Sequence, residues 1–223
     1  YHIGNLPETP KGIMQGDNSG MFQACMQLSE MFEATGNQNA TKEWKMEGEL
    51  FRHRLNTTCW NGRHYAHFIP IQPVPGHIKT DPVNALGLSN TYSVNRGAPT
   101  RKMAWSIIES YKKVWKEVKD QSKAEWFGIY PFIEPHFGKY KVGEYMNGAI
   151  LPLVGGELAK AAFQNGQEKY AVEILARLDK IMDINHRKLP GCINQDGTEQ
   201  REAVPDEWGQ AAFVSALIEG LAG

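Results

Sequence analysis

The sequence predicts an all-α fold assembled from helical hairpins. Two observations carry that expectation: long windows repeat apolar residues at three- and four-residue spacing, and Gly or Asn stops join those windows in pairs. A third is that the segments between pairs are long, aromatic and broken by Pro and Gly, as loops that decorate a helical scaffold are.

The chain is organised around Glu144 to Gly166, an apolar run rich in Gly and Ala with Tyr145 and Asn147 at its mouth. Pro152 fits only a first-turn position, so the helix is expected from about Leu151 to the αL stop at Asn165 and Gly166. In order from the start, Tyr1 to Gly16 carries no helical period and is expected to be loop. Asp17, Asn18 and Ser19 offer a cap to a helix with Met21, Cys25, Leu28, Met31 and Phe32 as its apolar stripe, ending at Thr35 to Asn37. A second helix begins near Ala40 and Thr41 and places Trp44, Leu50, Phe51 and Leu55 on one face, completing a hairpin. Cys59 to Phe68 holds an Asn-Gly turn between aromatics and reads as a short β-hairpin or an extended excursion. After a Pro-rich loop to Thr80, Asp81 and Pro82 cap a short helix reaching about Val94. Thr100 to Lys119 is a long helix with Met103, Ile107, Ile108, Tyr111, Val114, Trp115 and Val118 as its stripe. Phe127 to Gly143 is a binding-side loop, and Gln167 to Ile184 pairs with the organising helix through Tyr170, Ala171, Ile174, Leu175, Leu178 and Ile181. A polar loop from Asn185 to Val204 precedes a last helix that starts at Pro205 to Glu207, with Trp208, Ala211, Phe213, Val214, Leu217, Ile218 and Leu221 apolar.

Composition narrows the function. The formal net charge of -1 with scattered Lys and Arg makes no basic face, so nucleic acid and anionic membrane are excluded as partners and a neutral partner is expected. No apolar run approaches the ~20 residues of a membrane span, which points to a soluble chain, with a periplasmic or secreted location left open. Three cysteines, Cys25, Cys59 and Cys192, form neither a disulfide framework nor a zinc spacing. His64 and His67 share one short strand without a third ligand, and Gly155-Gly156 lacks the lysine of a phosphate loop, so no metal or cofactor is expected.

Three segments together resemble the six-hairpin glycosidases, which include trehalases, processing α-glucosidases and glycogen-debranching glucosidases. DNSGMFQACMQLSEMFEATGN with TKEWKMEGELFRHRLNTTCWNGRHYAHF is similar to a family hairpin that ends in a tryptophan and a strand turn. YMNGAILPLVGGELAKAAFQNG resembles the family's Tyr-x-Asn-Gly-x-x-x-Pro helix, and LPGCINQDGTEQREAVPDEWGQAAFVSALIEGLAG its closing loop and final helix. The resemblance implies an (α/α)6 toroid, here a partial barrel of about seven helices where the family has twelve. It further implies a single domain over residues 1–223, the C-terminal part of a longer catalytic domain, with the missing N-terminal part as its partner.

The activity so implied is hydrolysis of an oligosaccharide or glycoside, α-linked and inverting, by a carboxylic acid and a carboxylate held ~6.5–9.5 Å apart across the sugar. The alternative is a carbohydrate-binding or scaffold protein of the same fold that does not cleave. Asp17 is one catalytic candidate, since Gly16-Asp17-Asn18-Ser19 is similar to the acid motif Trp-Asp-Asn-Ser without its tryptophan; a helix cap is its other reading. Glu144, before Tyr145, is the second, with a solvated loop acid as the alternative. Glu207 is the third, at a helix start where the dipole already favours an acid. Leu189-Pro190-Gly191 carries glycine where debranching-type members carry glutamate, which leaves Asp196, Glu199 and Glu202 as nearby substitutes and Glu134 as a further acid. For sugar contacts, Trp60, Tyr65, Trp126, Tyr130, Tyr145 and Trp208 are candidate stacking platforms, and His136, Asn147 and Gln210 candidate hydroxyl partners; core packing is the competing role of the aromatics.

Overall fold

The computed structural model describes residues 11–74, 76, 78–200 and 206–223. Seven α-helices dominate them: α1 (Gln15–Ala34), α2 (Gln38–Thr58), α3 (Ser89–Asn95), α4 (Arg101–Val118), α5 (Pro152–Gln164), α6 (Glu168–Ile184) and α7 (Asp206–Ser215), the last continuing as a π-helical segment (Ala216–Leu221). Helices α1, α3, α5 and α7 touch in succession, and α2, α4 and α6 back onto that row, so the chain traces an arc of an (α/α) toroid.

The organising helix forms where Pro152 and the glycine stop require. Pro152 occupies its first turn after an extended Leu151, and Gly166 closes it at φ +71°. Helix α5 is buried on nearly every side because its small residues let partners come close. A Cβ at Gly155 would lie 2.6 Å from the Trp126 ring, and one at Gly156 would lie 2.5 Å from the Ala212 backbone of α7. Helix α6 buries the six residues its periodicity nominated, and Tyr65 and Trp60 bridge across the Asn61-Gly62 turn as the hairpin reading requires.

Four local expectations are corrected. Within the segment expected to be loop, β1 (Gly12–Met14) pairs antiparallel with β2 (Phe68–Pro70), and α1 starts at Gln15, so Asp17 lies in the first turn rather than at the cap. The buried face of α1 is Gln15, Ser19, Phe22, Cys25 and Ser29, whereas Met21 and Met31 are exposed. Close approach is the reason: Gly48 of α2 sits on Cys25 and Met26, and Gln15 Nε2 donates to Ser93 Oγ of α3, contacts that large apolar side chains would block. Asp81 does not cap a helix either. Its carboxylate holds a turn by accepting from Val83 N at 2.9 Å and Asn84 Nδ2 at 2.6 Å, and Leu86–Gly87 form strand β3 against β4 (Ile129–Tyr130) before α3 begins. In the last helix Trp208, Val214, Ile218 and Leu221 are exposed while Ala212 and Ala216 are buried, because α7 crosses α5 too closely for bulk.

No helix among the described residues is long and apolar enough to cross a membrane. The three cysteines are buried.

Candidate functional site

A cavity of about 800 Å³ opens between α3, α5, α7 and the aromatic loop. One face of α7 forms its first wall: Trp208, Ala211, Ala212 and Ser215 recur at i, i+3, i+4 and i+7. Leu153 and Glu157 of α5 supply a second, and Tyr92 of α3 a third. The rim is Phe137, Gly138, Tyr140, Tyr145 and Met146, with Gly191 from the polar loop.

The rim is built from a braced turn. Strands β5 (His136–Phe137) and β6 (Tyr140–Lys141) pair as a tight hairpin, and the Tyr140 and Tyr145 rings lie 4.9 Å apart. Tyr145 has φ +41°, a left-handed backbone that a bulky residue holds only when its surroundings enforce it. Gln200 enforces it: its Oε1 accepts from Tyr145 N at 3.1 Å and its Nε2 donates to Gly143 O at 2.7 Å. Burial and the neighbouring Cys192 and Tyr140 push the Tyr145 hydroxyl above its usual ionisation range, so it stays a neutral donor and acceptor. Tyr92 is raised likewise, by burial and by the charge of Glu157, with Arg96 opposing.

The expected site residues divide. Tyr145 and Trp208 line the cavity. Tyr65 and Trp126 are instead fully buried core residues; Tyr65 donates to Asn56 Oδ1, and Trp126 packs on Gly155. Asn147 is also fully buried and clamps the aromatic loop rather than a ligand: its Oδ1 accepts from Ile133 N at 2.8 Å and its Nδ2 donates to Ile133 O at 2.9 Å. Trp60 packs edge-to-face on Tyr65 at 5.4 Å, and Tyr130 stacks with Phe127 while donating to Glu117 at 3.3 Å. His136 is exposed on β5 with Nδ1 2.8 Å from Gly138 O, and Gln210 is exposed on α7. None of these residues, from Tyr65 to Gln210, lines the cavity.

The three carboxylates offered for catalysis do not converge on it. Glu144 is exposed and turns back to accept from Lys141 N at 2.8 Å, closing its own turn. Asp17 is exposed on α1 and Glu207 on α7, where first-turn acids complement the helix dipole. Among the substitutes, Asp196 accepts from Thr198 N and Oγ1, bonds that hold its carboxyl below the usual range, and Glu199 and Glu134 are exposed. Glu202 lies outside the described residues. The carboxylate on the cavity wall is Glu157, which periodicity alone passed over. A signal was available: it is the one acid in a helix whose other residues, apart from Lys160 and Gln164, are apolar or small. Tyr92 and Tyr140 were missed because helical and loop aromatics read equally well as core.

Comparison with solved structures decides what the arc is. A GH63 mannosylglycerate hydrolase from Thermus thermophilus, in complex with glucose, superposes with a TM-score of 0.62 at 16% identity, over 94% of this chain and 46% of that one. A bacterial glucoamylase complexed with acarbose gives 0.68 at 14% identity, over 95% and 34%. The chain has the six-hairpin glycosidase fold. A structure titled sialidase is similar too, with a TM-score of 0.67 at 16% identity over 95% of this chain and 20% of that one. The chain thus spans less than half the length of each of these three structures. No family model and no curated protein sequence matches it.

Proposed function

We propose that the chain is the C-terminal part of a glycoside hydrolase and supplies the aromatic wall of its sugar-binding cavity. The observation that carries this reading is the convergence of Tyr140, Tyr145 and Trp208 with one acid, Glu157, on a single cavity at the end of a six-hairpin arc. Aromatic faces match the C–H faces of a pyranose, and a few polar groups fix its orientation. The substrate on this reading is an α-linked oligosaccharide or glycoside, cleaved with inversion by acid/base catalysis. One wall carboxylate cannot do that alone, because inversion takes two groups on opposite faces of the sugar. The second carboxylate then comes from hairpins of the longer domain.

Binding without cleavage is the second reading. The observation that favours it is Gly191, which lines the cavity at the position where the resemblance calls for glutamate. Turnover of a panel of aryl glycosides and oligosaccharides by the complete protein, measured beside calorimetric binding, separates the two: cleavage supports the hydrolase, and binding without cleavage supports the second reading. Failure of every glycoside to bind removes both. Trp208 is half exposed, so Trp208→Ala is expected to leave the fold intact and weaken oligosaccharide binding about tenfold or more, the loss of one stacking platform. Unchanged affinity would exclude Trp208 from the site.

A further inference from the structure

We propose that Glu157 makes this cavity select by charge, admitting pyranosides that are neutral or carry a basic nitrogen and rejecting carboxylated and phosphorylated sugars. The inference rests on the carbohydrate reading above and deepens it.

Glu157 is the one carboxylate among the described residues lining the cavity, and no Lys, Arg or His is among them. Its position is fixed: Asn95 Nδ2 donates to Oε2 at 2.5 Å and to the Glu157 backbone carbonyl at 2.9 Å. No described residue donates to Oε1, so that oxygen keeps its capacity for a ligand hydroxyl or ammonium. Three described cations lie nearby, each with partners of its own, and Arg96 also sits 5.4 Å from the centroid of the Tyr92 ring. Lys160, one turn along α5, pairs with Glu219 at 2.6 Å and reaches Ser215 Oγ at 3.3 Å. Arg96 donates to Gly16 O at 3.0 Å and Ser19 Oγ at 2.8 Å on α1. Lys139 lies at the rim, 5.0 Å from the centroid of the Tyr140 ring.

The described lining residues therefore carry one carboxylate and no Lys, Arg or His, beside five aromatic rings, Tyr92, Phe137, Tyr140, Tyr145 and Trp208. Ring faces attract cations and repel anions, so the quadrupoles and the carboxylate act in the same direction. In a partly enclosed site the interaction of unit charges is several times stronger than in bulk water. A sugar carboxylate or phosphate entering beside Glu157 meets that repulsion without a cation among the described lining residues to offset it.

The test is calorimetry at low ionic strength on the complete protein with three trisaccharides of one backbone, neutral, amino and uronic. Choline serves as a fourth probe that needs no sugar recognition. The expected order places the amino and neutral sugars at least about tenfold above the uronic one. Glu157→Gln should compress that spread to about threefold or less while the melting temperature holds. Lys139→Ala should leave the order unchanged. Tightest binding of the uronic sugar, or an order that survives Glu157→Gln, overturns the proposal and leaves the carbohydrate reading standing. If no sugar binds, that reading fails instead, and Glu157-dependent binding of choline would then uphold the charge selection by itself, whereas choline binding unaffected by Glu157→Gln would overturn it.

Discussion

Gly156→Val is expected to separate α5 from α7 and cost more than about 3 kcal/mol, with loss of sugar binding as α7 carries Trp208 and Ser215 away. The reason is steric. Even the first atom of any side chain at Gly156 would sit 2.5 Å from the Ala212 carbonyl carbon and 2.7 Å from its oxygen, and backbone cannot rotate aside as a side chain can. Overpacking a close-packed site costs about 1–3 kcal/mol, and valine adds two methyl groups to the clash. Alanine provides the informative contrast. In an open helix Gly→Ala stabilises by about 1 kcal/mol. Gly20 of α1 is such a place, since its added Cβ would meet Arg96 at an ordinary 3.6 Å. Gly20→Ala should therefore raise the denaturation midpoint and Gly156→Ala lower it. Equal effects from the two would show that α5 and α7 are not in the contact described.

Arg177→Met is expected to destabilise by about 3–5 kcal/mol. Glu125 has no exposed side-chain surface, and it accepts hydrogen bonds from Tyr170 and from both terminal nitrogens of Arg177. Removing the arginine leaves a buried carboxylate with one neutral donor, which is far costlier than removing both charges. The guanidinium also lies 4.1 Å from the Trp115 ring and 5.1 Å from Trp126, so it joins α4, α6 and the tryptophan on which α5 rests. Arg177→Lys keeps the charge but not the fork or the stacking, and should fall between wild type and methionine. Equilibrium denaturation reads the effect. Because this network lies outside the cavity, sugar affinity of the folded fraction should stay near the wild-type value.

What the sequence made legible follows from how each feature is encoded. Helix α5 was readable because Pro152 and Gly166 act through backbone rules that tertiary contacts do not override, and α6 because one wide apolar stripe meets one partner. Helix α1 was misread at its face, since close helix contacts favour Gln15, Ser19 and Ser29, whose burial no hydrophobic period announces. The β1–β2 pair was invisible because its two strands of three residues are joined only by long-range register. At the site, Tyr145 was legible as an aromatic at a polar mouth and Trp208 as a candidate stacking ring of the last helix, and Glu157 was not, because an acid inside a mostly apolar helix has meaning only once a cavity is seen beside it. Asn147 carried the opposite ambiguity: a buried amide can serve a ligand or a loop, and here both of its ends are spent on the Ile133 backbone.

The central claim is that a pyranose occupies the space between α3, α5 and α7. A crystal structure of the complete protein with a neutral α-linked gluco-oligosaccharide tests it most directly. The account predicts a sugar ring stacked on Trp208 or Tyr145 with a hydroxyl in hydrogen-bond reach of Glu157 Oε1. A sugar bound on another face, with this cavity holding only water, would contradict it.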